Sequence, residues 1–226
     1  MLRKESFAPG EYYHIFNRGV DKRIIFKSAN DYHRFMMLLY VANSSEPIKL
    51  DNLINVLHKN YQDIFSCKRA EQLVSIGAWC LMPNHFHILI KEEVEGGITK
   101  FMKKLGTAYS MYFNIKYQRT GSLFGGLFKS KNVSEDRYLK HLFGYISLNA
   151  LELKFPKWEN FIDKQNPKMW QEFLKKYSYS SFLDYAGVER EEGNILNKGA
   201  FPKYFLSRYD FEDFIRSYLS FDPETS

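Results

Sequence analysis

The tripeptide His85-Phe86-His87 and the pair Tyr145 and Asn149 are the residues of this 226-residue chain best suited to chemistry. Residues two apart in a strand point the same way, so His85, His87 and Leu89 share one face while Phe86, Ile88 and Ile90 share the other. The apolar triplet marks a core side and leaves both imidazoles on the opposite face. Two neutral imidazoles so placed can grip one divalent cation; a hydrogen-bonded surface pair is the plainer reading, and two ligands are too few for a metal site. A third donor must come from elsewhere. At about 100° per residue, a helix over Asp136–Glu152 puts Leu139, Leu142, Phe143, Ile146 and Ala150 on one arc and Tyr138, His141, Tyr145, Asn149 and Glu152 on another. Tyr145 and Asn149, at i and i+4, are neighbours on that second arc. A phenol beside an amide oxygen suits a nucleophile next to a metal ligand, or an interface residue next to a helix end. A free phenol titrates near pH ~10, so attack on phosphorus needs a cation that withdraws charge from the phosphate and orients it.

Several elements must position these groups. Glu11–Asn17 is aromatic and β-branched enough for a first strand, followed by a basic turn over Arg18–Arg23. Ser28 with Asp31 resembles a capping box and opens a helix over about Asn30–Ala42. The polar stretch Asn43–Glu71 holds a short helix near Leu50–Asn60. Leu73–Leu81 and His85–Lys91 flank Met82-Pro83-Asn84 and read as a β-hairpin. A helix over Ile98–Tyr117, a loop over Gly121–Gly126, a short strand within Leu127–Val133 and a helix over Glu135–Leu151 capped by Ser134 complete the unit. The order β-α-β-β-α-β predicts an α+β fold, the ferredoxin-like split βαβ arrangement with an antiparallel sheet. We expect this domain over residues 1–155. Residues 156–226 read as a C-terminal extension of aromatic-rich segments and short helices, one of them within Tyr204–Leu219.

Composition narrows the function classes. The chain is 45% apolar, with 20 Phe, 16 Tyr and 3 Trp, far too aromatic for a disordered chain. No apolar run approaches the ~18–20 residues of a membrane span, and Met1–Glu5 lacks the apolar core of a secretory signal. Cys67 and Cys80 are too few for a disulfide scaffold or a cysteine-based zinc site. These features predict a cytoplasmic protein that does not engage a membrane. Net charge is +6, and Lys100–Lys140 alone carries nine Lys/Arg against two acidic residues. A basic stretch so concentrated suits contact with phosphates.

The sequence resembles the single-tyrosine HUH transposases of the IS200/IS605 type, and within them the REP-associated tyrosine transposases most closely. The resemblance rests on Tyr13-His14-Ile15-Phe16-Asn17-Arg18-Gly19 and on Trp79-Cys80-Leu81-Met82-Pro83-Asn84-His85-Phe86-His87-Ile88-Leu89-Ile90. It continues in Gly121-Ser122-Leu123-Phe124, Phe128-Lys129-Ser130 and Tyr145-Ile146-Ser147-Leu148-Asn149. Tyr179-Ser180-Ser181-Phe182-Leu183-Asp184-Tyr185 is a weaker echo of a C-terminal tryptophan-serine-serine-tyrosine segment. The resemblance implies a ferredoxin-like HUH domain that binds single-stranded DNA, often beside a hairpin. It implies His85, His87 and Asn149 as ligands of Mg²⁺ or Mn²⁺, and Tyr145 as the nucleophile that forms a 5′-phosphotyrosine link and releases a 3′-hydroxyl. It leaves open a monomer or a domain-swapped homodimer. Gly125-Gly126-Leu127 stands where relatives commonly carry Gln-x-Arg, so one basic residue of that loop is missing.

The phosphate-binding candidates are Arg18, Lys22 and Arg23 in the early loop, and Lys103, Lys104, Lys116, Arg119, Lys129 and Lys131 in the basic stretch. Tyr109, Tyr112, Tyr117 and Phe128 interleave with them as a single-strand binder requires, although Tyr109 and Tyr112 also fit the core stripe of their helix. Two other functions fit the same residues: a descendant that binds hairpin DNA or RNA without cutting it, and an unrelated metal hydrolase with a water nucleophile.

Overall fold

The computed structural model describes residues 6–156, 158 and 167–220. Four strands, β1 (Tyr12–Arg18), β2 (Val74–Met82), β3 (His85–Glu92) and β4 (Lys129–Asn132), form one antiparallel sheet in the order β2-β3-β1-β4. Helix α1 (Ala29–Val41) and the short α2 (Leu50–Asn55) lie between β1 and β2, and α3 (Gly97–Lys116) lies between β3 and β4. That order and connectivity are the ferredoxin-like split βαβ topology expected from the sequence. After β4 come α4 (Asp136–Leu148) and a 3-10 turn over Asn149–Leu153. The C-terminal helices are α5 (Pro167–Lys176), α6 (Phe182–Tyr185) and α7 (Arg208–Ser220).

Local chemistry sets several of these boundaries. The Asp31 carboxylate accepts the backbone N–H groups of Lys27 at 2.8 Å and Ser28 at 3.0 Å, closing the capping box of α1. Asp31 is fully buried and tolerates burial because Lys116, Tyr112 and Tyr117 also donate to it. Pro83-Asn84 makes a two-residue turn, and the hairpin zips from Met82 opposite His85 to Val74 opposite Glu92. The α-helix of α4 ends at Leu148, three residues earlier than the apolar periodicity suggests, because the chain tightens into the 3-10 turn.

The sheet is covered on both faces. Ile15, Ile76, Trp79, Phe86, Ile88 and Ile90 pack with Phe35 and Leu39 of α1 and with Phe101, Leu105 and Tyr109 of α3. On the other face, Ala78, Cys80, Met82 and Leu89 pack with Leu139, Leu142, Phe143 and Ile146 of α4 and with Phe182 and Phe211 of the C-terminal segment. The face that carries His85 and His87 is therefore a second core rather than a solvent face. Strand alternation distinguishes the two faces of β3 but does not show what covers the second one.

Edge strand β2 is sealed by the C-terminal segment. Leu81 N–H donates to Tyr179 O at 2.9 Å, Ser181 N–H to Trp79 O at 2.8 Å, and Trp79 N–H to Ser181 Oγ at 2.9 Å. The hydroxyls of Tyr177 and Tyr185 donate to Leu81 O and Gly77 O. A bare edge would present these groups unpaired. Ser181→Ala leaves the buried Trp79 N–H without an acceptor and should cost about 1–3 kcal/mol, measured by urea denaturation. An unchanged midpoint and slope would show that this contact does not hold the segment to the sheet.

Candidate active site

Register brings the polar residues of three strands to one end of the sheet. Arg18 pairs with His85, Phe16 with His87 and His14 with Leu89 across β1 and β3, while His14 pairs with Lys131 and Phe16 with Lys129 across β1 and β4. Directly opposed residues share a face, so His14, Arg18, Lys129 and Lys131 lie on the same side as His85 and His87. Helix α4 crosses that side. Its Tyr145 ring stands edge-on to His87, centroids 5.5 Å apart, and edge-on to His14 at 6.0 Å. His85 and His87 are 5.0 Å apart and nearly perpendicular. Together with Asn149, the side chains of Tyr145, His85 and His87 open onto a cleft of about 750 Å³ that Arg18, Lys22, Lys129 and Glu152 also line.

The early loop is stitched to the hairpin turn. Gly19 N–H donates to Asn84 O at 2.9 Å, Ile25 and Phe26 N–H donate to Pro83 O at 2.8 and 3.0 Å, and Val20 N–H donates to Leu123 O at 3.0 Å. Between these anchors Asp21 and Lys22 both adopt left-handed backbone, with φ of 53° and 58°. Such a conformation costs a non-glycine residue about 1–2 kcal/mol and persists only where the surroundings impose it. Here it brings Lys22 to the wall of the cleft.

The hydrogen bonds also define which ring nitrogens are available. Asn84 Nδ2 donates to Lys22 O at 3.3 Å, which turns Oδ1 toward His85 Nδ1 at 2.6 Å. An amide oxygen only accepts, so His85 Nδ1 carries the proton and Nε2 keeps a lone pair. His87 Nδ1 lies 2.9 Å from His14 Nε2, and the two share one proton. With that proton on His87 Nδ1, its Nε2 likewise keeps a lone pair. Burial holds all three rings neutral at pH 7. It lowers the pKa of His14 to about 4, helped by Lys131, and that of His85 to about 4, helped by Arg18. His87 lies well below the usual histidine value for the same reason, reinforced by His14, His85 and Arg18.

Asn149 occupies the junction of α4 and the 3-10 turn, and its Oδ1 is buried without a well-formed hydrogen bond. An amide oxygen in that condition suits a cation, and two imidazole lone pairs beside it complete a donor set that a hard or borderline divalent metal accepts. The donor chemistry therefore fits Mg²⁺ or Mn²⁺. Among the described residues there is no cluster of three or more His, Cys, Asp or Glu side chains that could hold a metal.

The sequence-expected cations divide into groups. Arg18, Lys22 and Lys129 line the cleft, and Lys131 reaches over the Tyr138 ring at 4.2 Å. Arg23 lies outside the cleft, half-buried. Lys104 donates to the backbone oxygens of Ser44 and Glu46, Lys116 pairs with Asp31 at 2.6 Å, and Arg119 donates to Asn114 Oδ1 at 3.1 Å. These three serve contacts within the fold. Lys103 lines a separate groove along α3. Tyr109 is wholly buried, with its hydroxyl donating to Ile25 O. His14 joins the site through His87, a role that residue type and spacing do not mark. Its signal was an alternation with Phe16 that becomes informative only once the β1–β3 register is known.

The ferredoxin-like sheet thus carries His-x-His on a central strand and is crossed by a helix bearing Tyr-x-x-x-Asn. The family model described as "Transposase IS200 like" matches residues 49–149, a span that includes His85, His87 and Tyr145 and ends on Asn149. The match bears out the resemblance to single-tyrosine transposases of the IS200/IS605 type. Among solved structures, the chain is similar to a REP-associated tyrosine transposase bound to a REP hairpin, at 12% identity and a TM-score of 0.46, covering 91% of this chain and 98% of that one. No curated protein matches the chain. Among the described residues, no helix is long and apolar enough to cross a membrane.

The buried neutral histidines make stability depend on pH. His14 titrates at about 4 in the folded chain and near 6.5 when unfolded, so between these values the unfolded chain binds more protons. Stability is full above about pH 6.5 and falls as pH drops toward 4, by roughly 3 kcal/mol from His14 alone. His85 acts in the same direction. Chemical denaturation in chelator at pH 7.5 and 4.5 should show this loss, and His14→Phe should make it smaller. A pH-independent midpoint would show that the rings are solvated.

Proposed function

We propose that the protein is a metal-dependent single-stranded DNA transposase that cuts and rejoins strands through a covalent tyrosine intermediate. The observation that supports this most directly is the convergence of Tyr145, His85, His87 and Asn149 of one chain on one cleft walled by Arg18, Lys22 and Lys129. Cations on the wall neutralise the backbone phosphates and hold the strand across the cleft. The Tyr145 oxygen attacks the scissile phosphorus in line, losing its proton to water, as the bond to the 3′-oxygen breaks. The 5′-phosphate ends on Tyr145, and the released 3′-oxygen takes a proton from water. A second strand's 3′-hydroxyl reverses the exchange, joining new ends without an external energy source because one phosphodiester bond is traded for another.

The divalent metal that His85 Nε2, His87 Nε2 and Asn149 Oδ1 would hold supplies Lewis-acid polarisation of the phosphate. His14 steers this arrangement by keeping the His87 Nδ1 proton engaged, so that the opposite nitrogen faces its task. A hairpin beside the cut site, proposed from the family resemblance, would present the single strand.

Two experiments test the reading. Wild type and Tyr145→Phe, incubated with a pooled single-stranded hairpin library and Mn²⁺, are compared for a denaturation-resistant adduct mapped by peptide mass. The adduct should sit on Tyr145 and disappear in the variant and in chelator. Binding without any adduct would favour the non-catalytic descendant, and cleavage retained in Tyr145→Phe would favour a water-using hydrolase. Separately, Asn149→Leu removes a buried oxygen that faces the His85 ring without a well-formed hydrogen bond, so the chelated variant should lose no more than about 1 kcal/mol of stability. Its Mn²⁺ affinity, read by calorimetry, should fall at least about tenfold. Undiminished Mn²⁺ binding would remove Asn149 from the ligand set.

A further inference from the structure

Helix α4 carries Tyr145 but is tethered lightly at its start. It follows β4, a four-residue strand at the sheet edge whose side chains are largely exposed. Leu139, Leu142, Phe143 and Ile146 pack one stripe of the helix against the sheet. A helix held along one stripe can still roll about its axis, and a nucleophile on its flank moves with it. Displacing a reacting group by about 1 Å can cost roughly a hundredfold in rate.

Gly144, the residue before Tyr145, is buried within α4. Glycine is a poor helix former, so a local contact has to account for it. A Cβ at this position would stand 2.4 Å from Cδ2, 2.6 Å from Cε2 and 2.9 Å from Cγ of Tyr218. Non-bonded carbon atoms settle about 3.5–4.0 Å apart, so the Tyr218 ring reaches the helix backbone only because residue 144 has no side chain. The same ring lies 5.1 Å from that of His141, with its hydroxyl 3.2 Å from His141 Nε2. His141 in turn is nearly parallel to Tyr145, at 14° and 6.5 Å between centroids. Positions 141 and 144 are neighbours on one side of α4, and Tyr218 sits across both. Its own helix is well anchored. Phe211, Ile215 and Leu219, at i, i+4 and i+8, form the buried stripe of α7, and Tyr218 flanks it.

We propose that Tyr218 is a positioning residue for Tyr145: its ring, seated on the bare backbone of Gly144, fixes the roll of α4 and keeps the phenol in line with the scissile phosphate. The inference rests on the tyrosine-nucleophile reading of the cleft and gives the C-terminal extension a task in that reaction. Tyr218 does not line the cleft, so strand and cation binding do not depend on it. The ring is the part that acts. His141 is exposed, and water can take the place of the hydroxyl's bond to it.

The test uses the full chain, Mn²⁺ and a hairpin strand on which wild type forms the covalent adduct. Adduct formation is followed in a single turnover at rising DNA concentration. Tyr218→Ala should lower the rate at saturating DNA roughly tenfold or more. The half-saturating DNA concentration, and the Mn²⁺ affinity read by calorimetry, should stay within about twofold of wild type. Tyr218→Phe keeps the ring and should restore most of the wild-type rate. Gly144→Ala places a methyl where the ring sits, and should lower the saturating rate with the DNA affinity unchanged. It decides the question with Tyr218→Phe should Tyr218→Ala fold badly. A loss that Tyr218→Phe shares in full would overturn the proposal, as would a change in half-saturation with an unchanged plateau. An adduct on Tyr145 that forms at the wild-type rate in Tyr218→Ala and Gly144→Ala would overturn it and leave the transposase reading standing. No adduct from wild type on any strand would overturn both.

Discussion

The side-chain amide of Asn84 is the contact on which the site depends. It faces two ways at the tip of the β2–β3 hairpin: its nitrogen meets the Lys22 carbonyl and its oxygen meets His85 Nδ1. The first bond, with those that Pro83 O and Asn84 O accept, holds a strained loop against the hairpin. The second selects the His85 tautomer. A turn needs only a residue that tolerates its backbone. This turn also fixes the position of a basic loop and the proton on a candidate ligand, so Met-Pro-Asn-His acts as one physical unit and not as four separate choices.

Covering both sheet faces has an electrostatic consequence. Were the His85–His87 face open to water, the rings would titrate near their ordinary value and be partly charged at mildly acid pH. Packed beneath α4 and the C-terminal segment, they lose solvation and stay neutral, and neighbouring Arg18 and Lys131 push the same way. The donor set of two imidazoles and an amide carries no charge. In the proposed complex the compensating negative charge must come from the DNA phosphate, so cation and DNA binding reinforce one another. The cationic wall of Arg18, Lys22 and Lys129 would repel a bare cation and attract a strand, which strengthens that coupling.

Much of this was legible in sequence because the signals were local. Alternation around His85-Phe86-His87, the Pro-Asn turn and the i, i+4 pair Tyr145 and Asn149 depend on residues close together in the chain, and they gave the strand, the turn and the helix face. The role of Lys104 or Lys116 was not legible, since a lysine reaching Ser44 O or the Asp31 carboxylate reads as an exposed cation until the long-range packing is known. His14 was hidden for the same reason: its partner His87 lies 73 positions away. The C-terminal segment was hardest, because its work is done by backbone groups that pair with β2, and backbone pairing leaves little trace in residue type.

The distribution of unfavourable features argues for the site independently of any motif. Buried polar groups in a folded chain normally find partners, as the fully bonded Asp31 illustrates. Among the described residues, the buried side-chain polar atoms without a well-formed hydrogen bond belong to six residues, and only Asn149 lines the cleft. The same cleft contains two consecutive left-handed non-glycine residues and borders three desolvated imidazoles. Each feature lowers stability and none helps the core pack. Their coincidence at one end of the sheet is what a fold shows where binding, rather than packing, has set the residues.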